Sequence, residues 1–407
     1  MAKSWTSTMD VAGTHTDWQH RLTNSAAGEH DVPSGLEVIR QKLIRGERLS
    51  LQDGILLFEH ADLPAVTRLA DMVKRARFGD EVFFNSNLHV NQTNICTLAC
   101  RFCAFRRGKN AEDAYALDIE EYLDRIEPWA AIIDEVHSVG GLHPDWDVNY
   151  YEKLFQATME AFPDLHIKAL TAVEVKHVAE ISGLSIAETL LRLKNAGLSS
   201  LPGGGAEILD DGVRDEICRG KESAAEYLAI HSAAHEIDLP TNCTMLFGTI
   251  ETISQRVEHM IQLREQQDRT GGFQCFIPYP FLPDKSRLPE AQLASGAEIL
   301  RTIAVSRLML DNIPHIKAYR MNLGDHIAEL ALTGGADDID GTVGHEEIMH
   351  EAGSTTALDD DRQHLASLIR DTGGIAVQRN SIYTRFRRFD EDDDKGSRLP
   401  ISVLPMA

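Results

Sequence analysis

Three cysteines, Cys96, Cys100 and Cys103, fall on one short stretch, Cys96-Thr-Leu-Ala-Cys100-Arg-Phe102-Cys103-Ala-Phe105. Three thiolates on a tight loop can hold three corners of a cubane iron–sulfur cluster. The fourth iron then has no protein ligand and is open to a small molecule, whereas clusters that only carry electrons normally take four cysteines. Two plainer readings compete. A structural zinc site closes with a fourth Cys or His, but Cys218, Cys243 and Cys275 are isolated in sequence and His89 is the only nearby histidine. The other is three free buried thiols side by side.

Further candidates lie downstream. Gly140-Gly141, followed by His143, lets backbone approach a ligand where a Cβ would block it, or makes a simple turn. Leu201-Pro-Gly203-Gly204-Gly205-Ala-Glu207 suits close packing against a nucleoside, with Glu207 accepting from ribose hydroxyls; a mobile turn with a helix-capping Glu is the alternative. Lys221 can present a cation to a carboxylate, as can Arg214 and Arg219, and basic residues at helix ends also serve the helix dipole. Lys168, Lys317 and Arg320 sit on or beside strand segments, where charges are unusual unless aimed at a ligand or a partner. Ion pairing with Glu174 or Asp338 would be purely structural. Asp337, Asp338 and Asp340 can orient those cations, and His143 and His89 can meet substrate or sit bonded in the core. Arg106, Arg107 and Lys109 can tune a cluster, attract a reductant or form a solvated loop.

The elements that must position these residues follow from periodicity. Helical spacing dominates from Gly35 to Phe78. Strand candidates then alternate with amphipathic helices: Val82–Val90, Ala131–Ser138, His166–Ala172, Leu198–Leu201, Thr241–Phe247, Gly272–Pro278, His315–Arg320 and Ala336–Asp340. Stripes such as Val148, Tyr151, Phe155, Met159 and Phe162, or Leu293, Ala297, Leu300, Ala304 and Leu308, mark the helices between. Strand–helix alternation implies parallel pairing, because parallel strands need a crossover. The expected class is α/β, a closed (β/α)8 barrel of TIM type with an N-terminal helical extension. The expected organisation is a flexible arm (1–34), a helical segment (35–80), the barrel (81–350) and a C-terminal extension (351–407), irregular after Gly374 and ending in the acidic run Asp390–Asp394. In such barrels the active site lies on the loops after the strands, where most of the candidates fall. The peptide His-Ile-Lys-Ala occurs at 166–169 and again at 315–318, by coincidence or by barrel pseudo-symmetry.

The 407 residues carry a net charge of −23, which excludes a nucleic-acid scaffold, since phosphate binding rests on basic patches. The first thirty residues show no apolar signal region. No apolar run approaches the roughly 18 residues of a membrane span. Six cysteines, half of them clustered, suit a reducing cytoplasm better than a disulfide framework.

The cysteine loop, with Phe102 before its third thiol, resembles that of the radical S-adenosylmethionine (SAM) enzymes. Adding Glu135-Val-His137-Ser138-Val-Gly140-Gly141-Leu-His143-Pro144, Lys168-Ala-Leu-Thr171-Ala-Val-Glu174 and Leu201-Pro-Gly-Gly-Gly-Ala-Glu207, the chain is similar to the aminodeoxyfutalosine synthase family of menaquinone biosynthesis over roughly residues 45–350. The dehypoxanthine futalosine cyclases and deazaflavin (cofactor F420) synthase subunits share the cysteine loop and triple glycine. His137-Ser-Val and the strand-three segment favour the synthase, while Gly248-Thr249-Ile-Glu251 departs from the relatives. The resemblance implies a 4Fe–4S cluster on Cys96, Cys100 and Cys103, with SAM as co-substrate against Phe102, Gly140, Gly141, Gly204, Gly205, Glu207 and Lys221. It implies a small aryl enol-ether dicarboxylate as substrate, with His143, Lys168, Glu174 and Arg320 as catalytic candidates. An external flavodoxin- or ferredoxin-type electron donor completes the set, with neither nucleic acid nor membrane insertion. A non-enzymatic iron–sulfur redox module is the reading from another class.

Overall fold

The computed structural model describes residues 14–15, 17–27, 35–341, 344–358 and 362–389. Most of the expected arm and the whole acidic run lie outside the described residues.

The barrel strands are β1 (Glu81–Phe84), β2 (Asn87–His89), β3 (Glu135–Ser138), β4 (His166–Ala169), β5 (Leu198–Ser200), β6 (Thr241–Phe247), β7 (Phe273–Pro280), β8 (His315–Ala318) and β9 (Asp338–Ile339). Every pairing among them is parallel, in the runs β2-β3-β4-β5 and β1-β9-β8-β7-β6. Two joints turn these runs into a ring. A parallel bridge from Leu201 to Thr241 joins β5 to β6. At the other joint β1 and β2 are halves of one strand interrupted at Asn85–Ser86, the first half pairing with β9 and the second with β3.

The crossover helices start where local chemistry tells them to. Asp118 with Glu121, Thr171 with Glu174, Ser185 with Glu188, Ser223 with Glu226 and Thr252 with Gln255 each form a reciprocal capping box, in which side chain and backbone satisfy each other's unpaired donors. Four helices precede the barrel: Trp18–Ala27, Glu37–Ile44, Leu51–Glu59 and Leu63–Phe78. The last opens with Pro64 in its first turn, where no N–H is missed.

Three differences from expectation have local causes. The stretch before β3 is a 3-10 turn, Glu127–Trp129, so the strand starts only at Glu135. Strand β8 stops at Ala318, and Arg320 opens the short helix Arg320–Leu323. Leu293 is exposed and precedes the helix Gly296–Met309. The chain after Gly374 is not irregular: β10 (Ile375–Arg379) adds parallel to β1, and β11 (Phe386–Arg388) returns antiparallel on β10. The hairpin packs Val377, Tyr383 and Phe386 against Phe78, Phe83, Cys275 and Ile277. This apolar plug fills one end of the barrel.

Candidate active site

Because helices cover the outside of the barrel, side chains at alternate strand positions have only the lumen to face. Above the plug the lumen opens into a cavity of about 300 Å³, reached by the cysteine loop on one side and by strand side chains on the others.

All three cysteines line this cavity. Burial pushes the Cys100 thiol up to about 12 and raises that of Cys103. Such thiols ionise against a strong local positive charge, which bound iron provides. The loop is pinned by its own backbone: Arg107 N–H donates to Asn94 O (2.7 Å), Cys96 N–H to Arg107 O (3.0 Å) and Thr97 N–H to Leu142 O (3.1 Å). Arg287 Nη2 adds bonds to the carbonyls of Ala99 (2.7 Å) and Cys100 (3.1 Å). Among the described residues no three His, Cys, Asp or Glu side chains are gathered to hold a single metal ion. Three thiols on the wall of one cavity suit the larger cluster with one corner open.

Beside the cysteines lie Phe102, Gly140, Gly141, Gly204, Gly205, Glu207 and Lys221, all in the cavity wall. Lys221 Nζ donates to Glu207 Oε1 at 2.5 Å and stands 5.5 Å over the Phe102 ring. Burial works against the Lys221 charge, and the Glu207 carboxylate overrides it, raising the pKa. Of the three basic candidates here, Arg214 is spent elsewhere: its guanidinium donates to the carbonyls of Gly205, Ala206 and Glu222. The glycines have steric causes. Gly205 sits at φ +102, where an added Cβ would lie 2.8 Å from Glu222 Oε1. At Gly141 a Cβ would lie 2.2 Å from Ile95 O, on the cysteine loop itself. The glycine pair therefore lets the loop after β3 and the cysteine loop touch.

Deeper in, charge collects. Lys168 Nζ bonds Glu135 Oε2 at 2.7 Å, and Lys317 Nζ pairs with Asp338 Oδ1 at 2.9 Å. Burial opposes the Glu135 charge, but the Lys168 ammonium prevails and holds the carboxyl well below its usual range. The two lysines occupy the same place in the repeated His-Ile-Lys-Ala, so the repeat serves two strands that face the cavity together. Strand register sets His89 beside His137 and His137 beside Lys168. The two imidazoles stack at 4.2 Å. Burial lowers them to about 3 and about 4, so both are neutral. Asn87, Asn242 and Asn322 line the cavity, each with a buried Oδ1 that has no hydrogen-bond partner. Sequence reasoning passed over Asn85, Asn87, Glu135, His137, Asn242, Thr244, Tyr279 and Tyr319 as site residues.

Three catalytic candidates are elsewhere. His143 does not line the cavity; it stacks on Trp146 at 4.3 Å and accepts from Asp145 N–H. Glu174 is buried with both oxygens taken, by Thr171 N–H (2.7 Å) and hydroxyl, Gly140 N–H (2.9 Å) and Gln92 Nε2 (3.2 Å). It joins a helix start to the glycine pair and cannot also hold substrate. Arg320, fully buried behind the wall, bonds Asp325 Oδ1 (3.0 Å) and Ala357 O (3.3 Å). Likewise Gly248 and Glu251 lie off the cavity, in a turn where Glu251 accepts from Gly248 N–H, Thr249 and Arg256.

A closed parallel barrel with three clustered thiols at the mouth of its lumen defines an iron–sulfur enzyme of the radical SAM type. The family model "Radical SAM superfamily" matches residues 90–263, and "CofH/MqnC C-terminal region" matches 270–392. The chain is 42% identical to the aminodeoxyfutalosine synthase of Thermus thermophilus, over 86% of this chain and 96% of that protein. The Streptomyces coelicolor aminodeoxyfutalosine synthase is also 42% identical, over 89% and 97%. A 5-amino-6-(D-ribitylamino)uracil–L-tyrosine 4-hydroxyphenyl transferase of Methanothermobacter thermautotrophicus is 40% identical, over 79% and 89%. Among solved structures, methylornithine synthase (PylB) superposes with a TM-score of 0.66 at 19% identity, covering 83% of this chain and 96% of its own, a likeness of fold. The chain belongs to the radical SAM superfamily, in the family that holds the aminodeoxyfutalosine synthases and their CofH/MqnC relatives. Among the described residues no helix is long and apolar enough to cross a membrane.

Proposed function

We propose that the chain joins the 5′-deoxyadenosyl group of SAM to 3-(1-carboxyvinyloxy)benzoate and consumes one water, giving 6-amino-6-deoxyfutalosine, methionine and bicarbonate for menaquinone biosynthesis. The observation that carries this reading is one cavity with cluster thiols at its mouth and two buried lysines in its depth. The likeness to two aminodeoxyfutalosine synthases supports the choice within the family. Cys96, Cys100 and Cys103 would hold a 4Fe–4S cluster, which when bound would supply the electron that splits SAM into methionine and an adenosyl radical. An external flavodoxin- or ferredoxin-type donor would deliver that electron.

The chain's own residues do the rest. Gly204 and Gly205 give the nucleoside a flat wall, and Glu207 accepts from its ribose. Lys221, held beside Phe102, meets the methionine carboxylate. Lys168 and Lys317 take the two carboxylates of the aryl enol ether, whose burial would be prohibitive without paired cations. That grip holds the vinyl carbon toward the mouth while the ring migrates and one carboxyl leaves. The plug of Phe83, Val377 and Phe386 keeps water from entering below, so the reactive carbon meets only the substrate.

The test is product analysis. Reconstituted protein with SAM, reductant and the enol ether should yield adduct and methionine in equal amounts. Release of free 5′-deoxyadenosine alone would overturn the assignment, and its release from dehypoxanthine futalosine would make the chain a cyclase.

A further inference from the structure

The C-terminal hairpin does more than plug the barrel. Its Arg379, the last residue of β10, is fully buried and lies behind the cavity wall. Nε and Nη2 grip Asp338 at 2.5 and 2.9 Å, and Nη2 also reaches Asn85 Oδ1 at 3.3 Å. The guanidinium lies 3.9 Å over the ring of Tyr383, another hairpin residue. Asp338 Oδ1 is also the atom that Lys317 Nζ approaches at 2.9 Å. One carboxylate is thus shared between a lysine that lines the cavity and an arginine that does not.

Charge balance gives the sharing a meaning. At this depth three cations, Lys168, Lys317 and Arg379, face two carboxylates, Glu135 and Asp338. Asp340 also lines the cavity, on the strand end above Asp338, where it accepts the backbone N–H of Arg320. The histidines of the layer, His89, His137 and His166, are held neutral by burial. Lys317, which shares its carboxylate with Arg379, is the buried cation left for an incoming anion to meet. A two-pronged guanidinium grip is the strongest hold a carboxylate can have in a protein, so Asp338 is largely satisfied before Lys317 arrives.

We propose that Arg379 is a positioning residue for substrate binding: by sharing Asp338 it weakens that carboxylate's hold on the Lys317 ammonium, which can then turn to a substrate carboxylate. The inference rests on the dicarboxylate substrate of the proposed function and makes the C-terminal hairpin part of the site that holds it.

The test uses the reconstituted holoenzyme and reads KM and kcat for the enol ether, together with its affinity by titration calorimetry. R379Q should raise KM and Kd at least tenfold, because Asp338 then holds Lys317 undivided. Adding D338N should restore both to within about threefold of wild type, because the competing carboxylate is gone. Iron per chain reports whether each variant folds; should R379Q fail to fold, R379K, with a one-point hold, should give intermediate values. A merely structural arginine predicts that D338N/R379Q is no better than R379Q, and that result, or an unchanged KM and Kd in R379Q, overturns the proposal. If wild type binds the enol ether without forming adduct, the proposed function fails, while a tenfold weaker Kd in R379Q still upholds Arg379. Wild type that does not bind the dianion at all overturns both.

Discussion

Gly141 is where the barrel and the cysteine loop press hardest on each other. A methyl added there would sit 2.2 Å from Ile95 O, 2.6 Å from Ile95 C and 3.1 Å from Cys96 Cβ. To restore ordinary contact the two loops must part by about 1 Å, yet Gly141 N–H to Thr93 O (2.8 Å) and Thr97 N–H to Leu142 O (3.1 Å) tie them together. Overpacking of this kind costs about 2 kcal/mol, a fall in Tm of about 2–3 °C for a chain this large. Displacing a cluster ligand by about 1 Å should slow chemistry on the order of 100-fold. Gly183→Ala is the control: its φ of +65 strains an alanine, but nothing lies within 4 Å of the new methyl. It should lower Tm by about 1 °C, from about 1 kcal/mol of left-handed strain, and leave iron content alone. The assay compares Tm, iron per chain after reconstitution and the rate of SAM cleavage. G141A with wild-type iron and cleavage, or G183A losing iron to the same degree, would refute the reasoning.

Other perturbations separate pairing from packing. Lys168→Met leaves Glu135 buried without its cation and should cost about 3–5 kcal/mol; adding Glu135→Gln should recover most of that stability by denaturant titration but not substrate affinity, and a double variant as unstable as the single would contradict the pairing. Lys221→Met should weaken SAM binding at least tenfold, measured by equilibrium dialysis, while affinity for the enol ether changes far less; equal losses for both would put Lys221 outside the SAM end. His350 is raised to about 9, first by its bond to Glu346, whose carboxylate lines the cavity and caps the helix Ile348–Glu351 through Met349 N–H. A folded pKa above the unfolded one means that this stabilisation is whole below about pH 6.5 and fades as pH rises through about 9. Tm of wild type minus that of H350Q should therefore shrink between about pH 6 and pH 10, and a flat difference would dismiss the ion pair.

The barrel was legible because each strand lies between two covering helices and so reads as a short apolar run between amphipathic stripes. Thr241–Phe247 has the same bounds in sequence and structure. The hairpin after Gly374 was not, although Ile375-Ala-Val377 is a strand-like run. No helix follows to frame it, and its partner β1 lies about three hundred residues upstream. At the site, the cysteines with Phe102, and Gly204–Gly205 with Glu207 and Lys221, were readable as cavity wall because each set lies on one short stretch after a strand. Arg320 was not, since the carbonyl that helps hold it belongs to Ala357.

Position after a strand proved a weaker guide to chemistry than the pattern within it. His143 and Glu174 both follow strands, yet the Thr171-x-x-Glu174 spacing already spells a capping box, and a carboxylate with its oxygens committed there has little left for a ligand. The lumen residues carry a different mark: polar side chains at every second strand position, in Asn85-x-Asn87-x-His89, Glu135-x-His137, Asn242-x-Thr244 and Lys317-x-Tyr319. On an open sheet such alternation would point to solvent. In a barrel wrapped by helices the outer face is apolar core, as Val82, Phe84, Leu88, Val136 and Ile167 confirm, so polar alternation can only turn inward, toward something it must hold. The two His-Ile-Lys-Ala strands are the clearest case, with an apolar residue packed outward beside a lysine that lines the cavity.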